Sequence, residues 1–198
     1  MTRAYAGRAP DERRAERRRR LLDAGLELFG TVGWERAGIA LLCATAQVGT
    51  RAFYEEFDTR EDLLREVATT VVLDAVDRLR SALAEAPTAL DERVRGGLAA
   101  YVGALTDDPR RARVAYGAVP AAGRLLADRH AASLAFAQVI GKEAEVLGLR
   151  PPEHGELLAL ALTGAVAELL GWWAATVPHP PVEPIVDELS RLFVAALT

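Results

Sequence analysis

Residues 46–57 read Ala-Gln-Val-Gly-Thr-Arg-Ala-Phe-Tyr-Glu-Glu-Phe, and they decide how the N-terminal part of the chain folds. Their pattern predicts a short helix that ends near Ala46, a tight turn, and a second short helix from Thr50 to Phe57. Phe53 and Phe57 stand four residues apart, so we expect both rings to point into a small core. A short helix held across a turn from its neighbour is how many small domains place one helix in the major groove of DNA.

Apolar spacing on either side of this stretch extends the helical prediction. Pro10 is expected to open a first helix that runs to about Thr31. Thr59 is a predicted N-cap, with Asp62 three residues later, for a helix that continues to about Leu83. The first helix is expected to bury Leu22, Gly25, Leu26 and Phe29. The core that holds the two short helices together is expected to contain Phe29, Ile39, Leu42, Val48, Phe53 and Phe57.

Beyond residue 88 the chain keeps a helical periodicity that prolines and glycines interrupt. The expected helices there are 90–105, 110–118, 121–147, 153–177 and 183–197. Together with the four N-terminal helices, they predict an all-α protein of about nine helices. We expect residues 1–10 to form a mobile arm and a domain boundary to fall at about residue 67, inside the helix that begins at Thr59.

Charge and composition narrow the function classes. The 198 residues carry a net charge of −4, but residues 1–20 contain eight arginines and three acids, a net +5, which leaves −9 for the rest. Only the N-terminal end is therefore attractive to phosphate groups. The single cysteine, Cys43, excludes an intramolecular disulfide and a multi-cysteine zinc site. A lone cysteine and the lack of a signal-peptide pattern favour a cytoplasmic protein.

The sequence supports neither catalysis nor a membrane span. His130, His154 and His179 are scattered, and no Gly-rich phosphate loop, metal-spaced cluster or nucleophile elbow occurs. We therefore expect no enzyme activity, no cofactor and no metal. Residues 157–178 are almost long enough to cross a bilayer, but they contain Glu168 and many small residues, so we expect a helix buried within the protein.

Five motifs between residues 13 and 67 occur in the order and spacing of one family. They are Leu-Leu-Asp-Ala-Gly-Leu-Glu-Leu-Phe at 21–29, Gly-Trp at 33–34, Ala-Gln-Val at 46–48, Phe-Tyr-Glu-Glu-Phe at 53–57 and Thr-Arg-Glu-Asp-Leu at 59–63. This part of the chain closely resembles the TetR (tetracycline-repressor) family of bacterial transcriptional regulators. The resemblance implies an N-terminal arm and helix-turn-helix DNA-binding domain at 1–67. It also implies a helical effector-binding and dimerisation domain at 68–198, which resembles the family only in its helical layout and length.

The resemblance and the side-chain chemistry together predict the DNA-binding residues. The predicted set is Arg17, Gly38, Thr50, Arg51, Tyr54 and Arg60. Arg51, near the start of the recognition helix, is expected to form the bidentate fork with guanine that reads sequence. Tyr54 and Arg60 match family positions that hold backbone phosphates, which fixes register without reading sequence. One or two of the arginines at 13, 14, 17 and 20 are expected to do the same.

Several positions depart from the family pattern, namely Gly38, Gln47, Gly49, Glu55 and Glu56. The two glycines replace the usual Ser or Thr caps of the short helices, and Gln47 occupies a turn position that is commonly Gly. The two glutamates place carboxylates at the end of the recognition helix. They are expected to repel phosphate unless they pair with Arg51 or Arg60, or accept hydrogen bonds from cytosine amino groups.

Two C-terminal helices carry stripes suited to a homodimer. The stripe on 153–177 comprises Ala161, Gly164, Ala165, Glu168, Gly171, Trp172 and Ala175. The stripe on 183–197 comprises Val182, Ile185, Val186, Leu189, Leu192, Phe193 and Ala196. Packed against their two-fold copies, both helices would form a four-helix bundle. The open alternative is that both stripes pack within one subunit.

A second stripe on helix 153–177 is expected to face inward and consists of Leu158, Leu162, Val166, Leu169 and Trp173. The predicted lining of an apolar cavity is Tyr101, Tyr116, Phe136 and Trp173, with Glu168 and His130 as polar groups that orient an effector. Ordinary core packing is the alternative for each aromatic residue, and a pair with an arginine across the dimer is the alternative for Glu168. In the family, such cavities bind small molecules that change the spacing of the two DNA-reading heads.

We therefore expect a ligand-responsive transcriptional regulator, a repressor that binds a palindromic double-stranded operator as a homodimer. Its effector is expected to be a small apolar or aromatic molecule, and no membrane partner is expected. Two recognition helices about one DNA turn, ~34 Å, apart would read the operator. The alternative is a dimeric helical small-molecule-binding protein whose DNA-binding head is weakened by its departures from the family pattern.

Overall fold

The computed structural model describes residues 10–117, 124–149 and 155–198, and the regular elements in these residues are all helices. They are α1 (Pro10–Thr31), α2 (Ile39–Ala46), α3 (Thr50–Tyr54), α4 (Arg60–Glu85), α5 (Leu90–Thr106), α6 (Pro109–Tyr116), α7 (Arg124–Val146), α8 (Gly155–Ala175) and α9 (Glu183–Leu197). For this part of the chain, the all-α prediction with about nine helices is confirmed. Two compact units are present, the first ending at Val67 and the second beginning at Ala68, so the boundary falls within α4.

The helix bounds differ from expectation at one point that matters for the site. The recognition helix α3 ends at Tyr54, whereas the pattern predicts a helix to Phe57. The amides of Glu56 and Phe57 instead both bond to the carbonyl of Phe53. Acidic residues at 55, 56 and 58 oppose the negative end of the helix dipole, which explains the early stop. The predicted arm at 1–9 and the predicted helical residues 118, 121–123 and 153–154 lie outside the described residues.

The core of the first unit forms where α1 and α4 approach each other at Gly25. A Cβ atom placed on Gly25 would lie 2.9 Å from Cγ2 of Val67 and 3.4 Å from Cγ of Leu63, so any larger residue would force these side chains to move. The buried face of α1 is therefore Leu21, Ala24, Gly25, Leu28 and Phe29. This face is rotated from the predicted one, because Leu22 and Leu26, which the pattern places on the buried face, are only half-buried. Leu42, Phe53 and Phe57 are buried as predicted, while Ile39 and Val48 are half-buried.

In the second unit, α7 packs on α8, α5 on α9, and α6 on α8. The inward stripe of α8 is largely as predicted, with Leu162, Val166 and Trp173 buried and Leu158 and Leu169 half-buried. The stripe of α9 differs from the prediction. Ile185, Val186, Leu189 and Phe193 are buried within this unit, so the alternative of packing inside one subunit holds for most of that stripe. A stripe indicates that a face is covered but not by which surface, and α5 covers this one.

The small-residue face of α8 is largely open, although Ala165 and Gly171 are half-buried and Gly171 packs against the Tyr116 carbonyl. Ala161, Gly164, Glu168 and Ala175 are exposed, and the large ring of Trp172 is 52% exposed. By length and composition α8 would qualify as a membrane-crossing helix, a test that core helices of soluble proteins also pass. Its buried opposite face packs on α6 and α7, as in a helix of a packed helical unit.

Candidate nucleic-acid interface

The turn between α2 and α3 has the backbone of a helix-turn-helix. Gln47 has φ 55° and ψ 45°, the left-handed conformation that glycine commonly supplies at this position. Its own amide bonds to the carbonyl of Ala44, and the amide of Val48 bonds to Cys43. Nη1 of Arg20 donates to the Gln47 carbonyl at 3.2 Å, so a basic residue of α1 is used to brace the turn.

The two glycine caps act through the backbone alone. Gly38 and Gly49 both have extended dihedrals ahead of α2 and α3, and neither helix start has a side-chain cap. Cys43 of α2 lies beside Thr50 at the start of α3. Burial raises the pKa of the Cys43 thiol, and a hydrogen bond with Thr50 acts in the opposite direction. Thr50 therefore lies close to α2, although most of this residue is exposed to solvent.

The outer face of α3, together with its C-cap residue Glu55, carries four exposed polar residues above buried aromatic rings. Thr50, Arg51, Tyr54 and Glu55 are exposed, whereas Phe53 is fully buried. The Tyr54 ring meets the edge of Phe53 with 5.4 Å between centroids, and Phe53 in turn contacts Phe57 at 5.9 Å. Phe53 and Phe57 therefore prop up the helix while the other face is left open, which is the arrangement a groove-reading helix needs.

The two glutamates at the end of α3 have different partners. Glu55 accepts a hydrogen bond from Nε of Arg51 at 3.3 Å, one of the pairings that the sequence left open. Glu56 pairs with neither Arg51 nor Arg60. Its carboxylate is only 1% exposed and lies 3.2 Å from Nε of Arg14, 3.5 Å from Arg17 and 3.6 Å from Arg18.

Arg18 is a central residue of this surface that the sequence reasoning did not single out. Its guanidinium lies over the Phe57 ring at 4.6 Å and donates to the Glu56 carbonyl at 3.1 Å. It also pairs with both carboxylate oxygens of Glu66 on α4, with Nε at 3.0 Å from one of them. Arg18 of α1 therefore joins the residues that follow α3 to α4. The sequence signal was a run of four arginines followed, forty residues later, by acids at unusual positions.

The side chain of Arg60 makes several contacts within the first unit. Its guanidinium stacks on the Trp34 ring at 3.8 Å, and Nη1 donates to the carbonyls of Trp34 and Ala37. The start of α4 is closed by a reciprocal cap: Thr59 Oγ1 accepts from the Asp62 amide at 3.1 Å, and Asp62 accepts from the Thr59 amide at 3.1 Å. Arg60 is half-buried, so phosphate contact by this residue stays a prediction.

The predicted effector residues do not converge on one cavity. Tyr101 and Tyr116 share a hydroxyl–hydroxyl hydrogen bond of 2.5 Å, and the Phe136 ring lies 5.1 Å from that of Tyr101. Burial, and then the neighbouring Tyr116, raise the pKa of Tyr101 well above its ordinary value. Trp173 has other partners: its indole N–H donates to Pro180 at 2.8 Å and its ring stacks on His179 at 4.2 Å.

Glu168 is exposed and lies on the open face of α8, so it does not join the tyrosine pair. The side chain of His130 lies outside the described residues. A cleft of about 450 Å³ lies between α7 and α8, and none of the five predicted ligand residues lines it. Its lining includes Leu134, Ile140, Ala144, Leu149, Leu158 and Leu197, with Gln138, Glu145 and Glu156 as polar members.

Comparison with known proteins supports the family resemblance. Residues 21–67 match the family model for bacterial regulatory proteins of the tetR family. No curated protein sequence matches the chain. The matched segment contains α2, α3 and the exposed face described above.

Solved structures of similar fold cover nearly the whole chain. The fatty acid degradation regulator FadR from Bacillus halodurans has a TM-score of 0.75 at 16% identity, over 94% of this chain and 96% of that one. A putative TetR-family regulator from Syntrophomonas wolfei gives 0.76 at 16%, covering 93% and 96%. A TetR-like regulator from Rhodococcus sp. RHA1 gives 0.68 at 20%, covering 91% and 95%. The TetR-like fold is confirmed for the chain.

Proposed function

We propose that this chain, whose residues 21–67 match the TetR family and whose described helices share the TetR-like fold, is a ligand-responsive transcriptional regulator. In this proposal it acts as a repressor, binds a palindromic operator as a homodimer, and is not an enzyme. The first unit reads DNA, and the second unit dimerises and binds an effector.

The observation that carries the proposal is the exposed face of α3. Thr50, Arg51, Tyr54 and Glu55 are open to solvent, and the Arg51 side chain is 95% exposed. A long cation that no packing role requires, at the start of a short helix, suits the guanine edge in a major groove. Backbone amides at this helix start and the Tyr54 hydroxyl are suited to phosphate contacts.

The contacts that the α1 arginines make within the protein limit how these side chains can bind DNA phosphates. Arg14, Arg17 and Arg18 already share the carboxylate of Glu56, and Arg20 braces the turn. These contacts hold the four arginines in place, so any phosphate would meet cations that are already partnered and fixed in position. We expect modest non-specific affinity, since counterion release scales with the number of phosphates neutralised.

The open face of α8 supports dimerisation through this helix. Gly164 and Ala161 allow a close helix approach, and Trp172 supplies a large apolar group that is 52% exposed in one subunit. The α9 contribution is smaller than the sequence suggested, with Leu192 as the exposed large residue of its stripe. For the effector, we propose a small apolar or aromatic molecule, because the α7–α8 cleft and the Tyr101 cluster are both lined mainly by apolar groups.

The second candidate is a dimeric binding protein with a weakened DNA head. The pairing of Glu55 with Arg51 favours it to the extent that a carboxylate competes with guanine for that guanidinium. The two candidates differ in one measurable property, which is whether the purified protein selects any DNA sequence.

The test is a genomic binding selection with the purified full chain at low salt, followed by titration of the recovered fragment. The regulator proposal predicts a palindromic fragment with half-sites about one turn, ~10 bp, apart and steep salt dependence. Recovery of no common sequence would contradict it and favour the binding-protein alternative. Genes next to the recovered site would indicate candidate effectors, and a thermal shift with each would test them.

A further inference from the structure

We infer that Glu55 is a positioning residue for base reading: it holds the guanidinium of Arg51 in the orientation that presents its outer edge to guanine. The inference rests on the proposed function, because it assigns Glu55 a part in how that function reads sequence. It also gives a purpose to a carboxylate that stands on a DNA-facing surface, where charge alone would make it unfavourable.

The geometry singles out one edge of the guanidinium. Nε of Arg51 donates to Oε1 of Glu55 at 3.3 Å, one helical turn further along the chain. An arginine has two edges that form a bidentate fork, one with Nε and one with both terminal nitrogens. Since Glu55 pairs with Nε, the edge formed by the two terminal nitrogens is left to a ligand, on a side chain that is 95% exposed. That edge matches the O6 and N7 acceptors of guanine.

Glu55 is itself held in place from α1. Its second oxygen, Oε2, lies 3.8 Å from Nη2 of Arg17, and the same nitrogen lies 3.5 Å from the buried carboxylate of Glu56. Charges therefore alternate along a chain from Arg51 through Glu55 and Arg17 to Glu56. A carboxylate held between two cations is fixed more firmly than one on a free i,i+4 pair, where both side chains keep most of their rotamer freedom.

Glu55 should affect the preference for guanine and the overall affinity for DNA in different ways. An arginine fixed before binding loses less rotamer freedom when it meets the correct base, so its preference for guanine is stronger. The carboxylate adds a negative charge near the phosphates, so it lowers affinity for any DNA. Removal of Glu55 should therefore move the two quantities in opposite directions, which a merely structural role would not do.

The experiment compares wild type with Glu55→Ala, Glu55→Gln and Arg51→Ala by selection from a randomised operator library, with titration of scrambled duplex in parallel. We expect Glu55→Ala to lose about tenfold of the guanine preference at one operator position, a fraction of what a bidentate arginine contact provides. Its affinity for scrambled duplex should equal or exceed that of wild type. Glu55→Gln, which keeps an acceptor of the same shape, should retain part of the preference. In an Arg51→Ala background, Glu55→Ala should change that position no further.

Glu35→Gln is the matched control, because Glu35 is an exposed acid of the same unit, outside α3. It should leave the preference at every position unchanged. The inference is overturned if Glu55→Ala and Glu55→Gln keep the wild-type preference throughout. It is equally overturned if Glu55→Ala loses selectivity at a different position while the guanine position stays intact, since Glu55 would then read a base itself. Failure of wild type to select any sequence counts against the proposed function instead.

Discussion

The guanidinium of Arg60 lies 3.8 Å from the centre of the Trp34 ring, and Nη1 of Arg60 bonds to two main-chain carbonyls, those of Trp34 at 2.9 Å and Ala37 at 3.2 Å. One side chain at the start of α4 therefore holds the segment between α1 and α2. The segment leads directly into Gly38, the cap residue of α2. The position of α2 and α3 relative to α1 thus depends on a residue expected from the family resemblance to hold phosphate.

Replacement of Arg60 should reveal this internal role. We predict that Arg60→Ala lowers the free energy of unfolding by about 1–2 kcal/mol, because the ring stacking and two hydrogen bonds are lost together. Arg60→Lys keeps the charge but not the planar stack, and should recover less than half of that loss. Urea denaturation provides the measurement. Arg36→Ala, an exposed arginine in the same segment, is the control and should change stability by less than about 0.5 kcal/mol. Equal stability of the Ala and Lys variants to wild type would argue against the internal role.

Glu56 should matter more for stability than its neighbour. We predict that Glu56→Gln costs about 1–3 kcal/mol, because its buried carboxylate balances three partly exposed arginines of α1. The loss should shrink as salt is raised, since free arginines repel each other less in a screened medium. Glu55→Gln, on a half-exposed side chain, should cost less than about 0.5 kcal/mol in the same denaturation series. A Glu56→Gln protein as stable as wild type at low salt would show that the cluster contributes nothing.

The surroundings of Asp108 lead us to expect that the stability of the second unit depends on pH. Asp108 caps α6 by accepting from the Arg110 amide at 3.1 Å, and its hydrogen bond with the Arg110 side chain lowers the pKa of the carboxyl below its ordinary value. A folded-state pKa below the unfolded one means that the charge stabilises the fold above about pH 4, and that this contribution disappears as the pH falls through the folded pKa.

Asp108→Asn keeps the cap and removes the charge. We therefore predict that wild type is the more stable of the two at pH 7, and that the difference narrows as the pH falls below about 4. Thermal melts of both proteins at about five pH values, from roughly pH 2 to pH 7, would measure this difference in stability. A stability difference that grows toward acid pH would contradict the assigned direction.

Replacement of Gly164 tests whether a second α8 packs against the open face of this helix. A Cβ atom placed on Gly164 meets nothing within 4 Å, so Gly164→Leu should fold normally yet block close approach of a second α8. We predict at least about a tenfold increase in the dimer dissociation constant by sedimentation equilibrium, equivalent to about 1.4 kcal/mol. Gly96→Leu is the matched control, since Gly96 on α5 is equally open. Unchanged dimerisation in both variants would remove α8 from the interface.

Local features of the fold were predictable, and long-range pairings were not. The reciprocal cap of Thr59 and Asp62, and the strained turn at Gln47, follow from residues within three positions of each other. The capture of three α1 arginines by Glu56 joins residues about forty positions apart, which periodicity does not encode. The α9 pattern predicts a buried face and a dimer contact, but α5 covers that face, because a stripe carries no information about the surface that packs on it.

The central claim is that α3 reads DNA sequence through Arg51. The direct measurement is a fluorescence titration of wild type and Arg51→Ala against the selected operator and a scrambled duplex of equal length, at several salt concentrations. The account predicts that wild type prefers the operator and that Arg51→Ala binds both duplexes alike, with the salt slope of non-specific binding reduced by at most about one. Wild type that does not distinguish the two duplexes, or Arg51→Ala with undiminished preference for the operator, would contradict it.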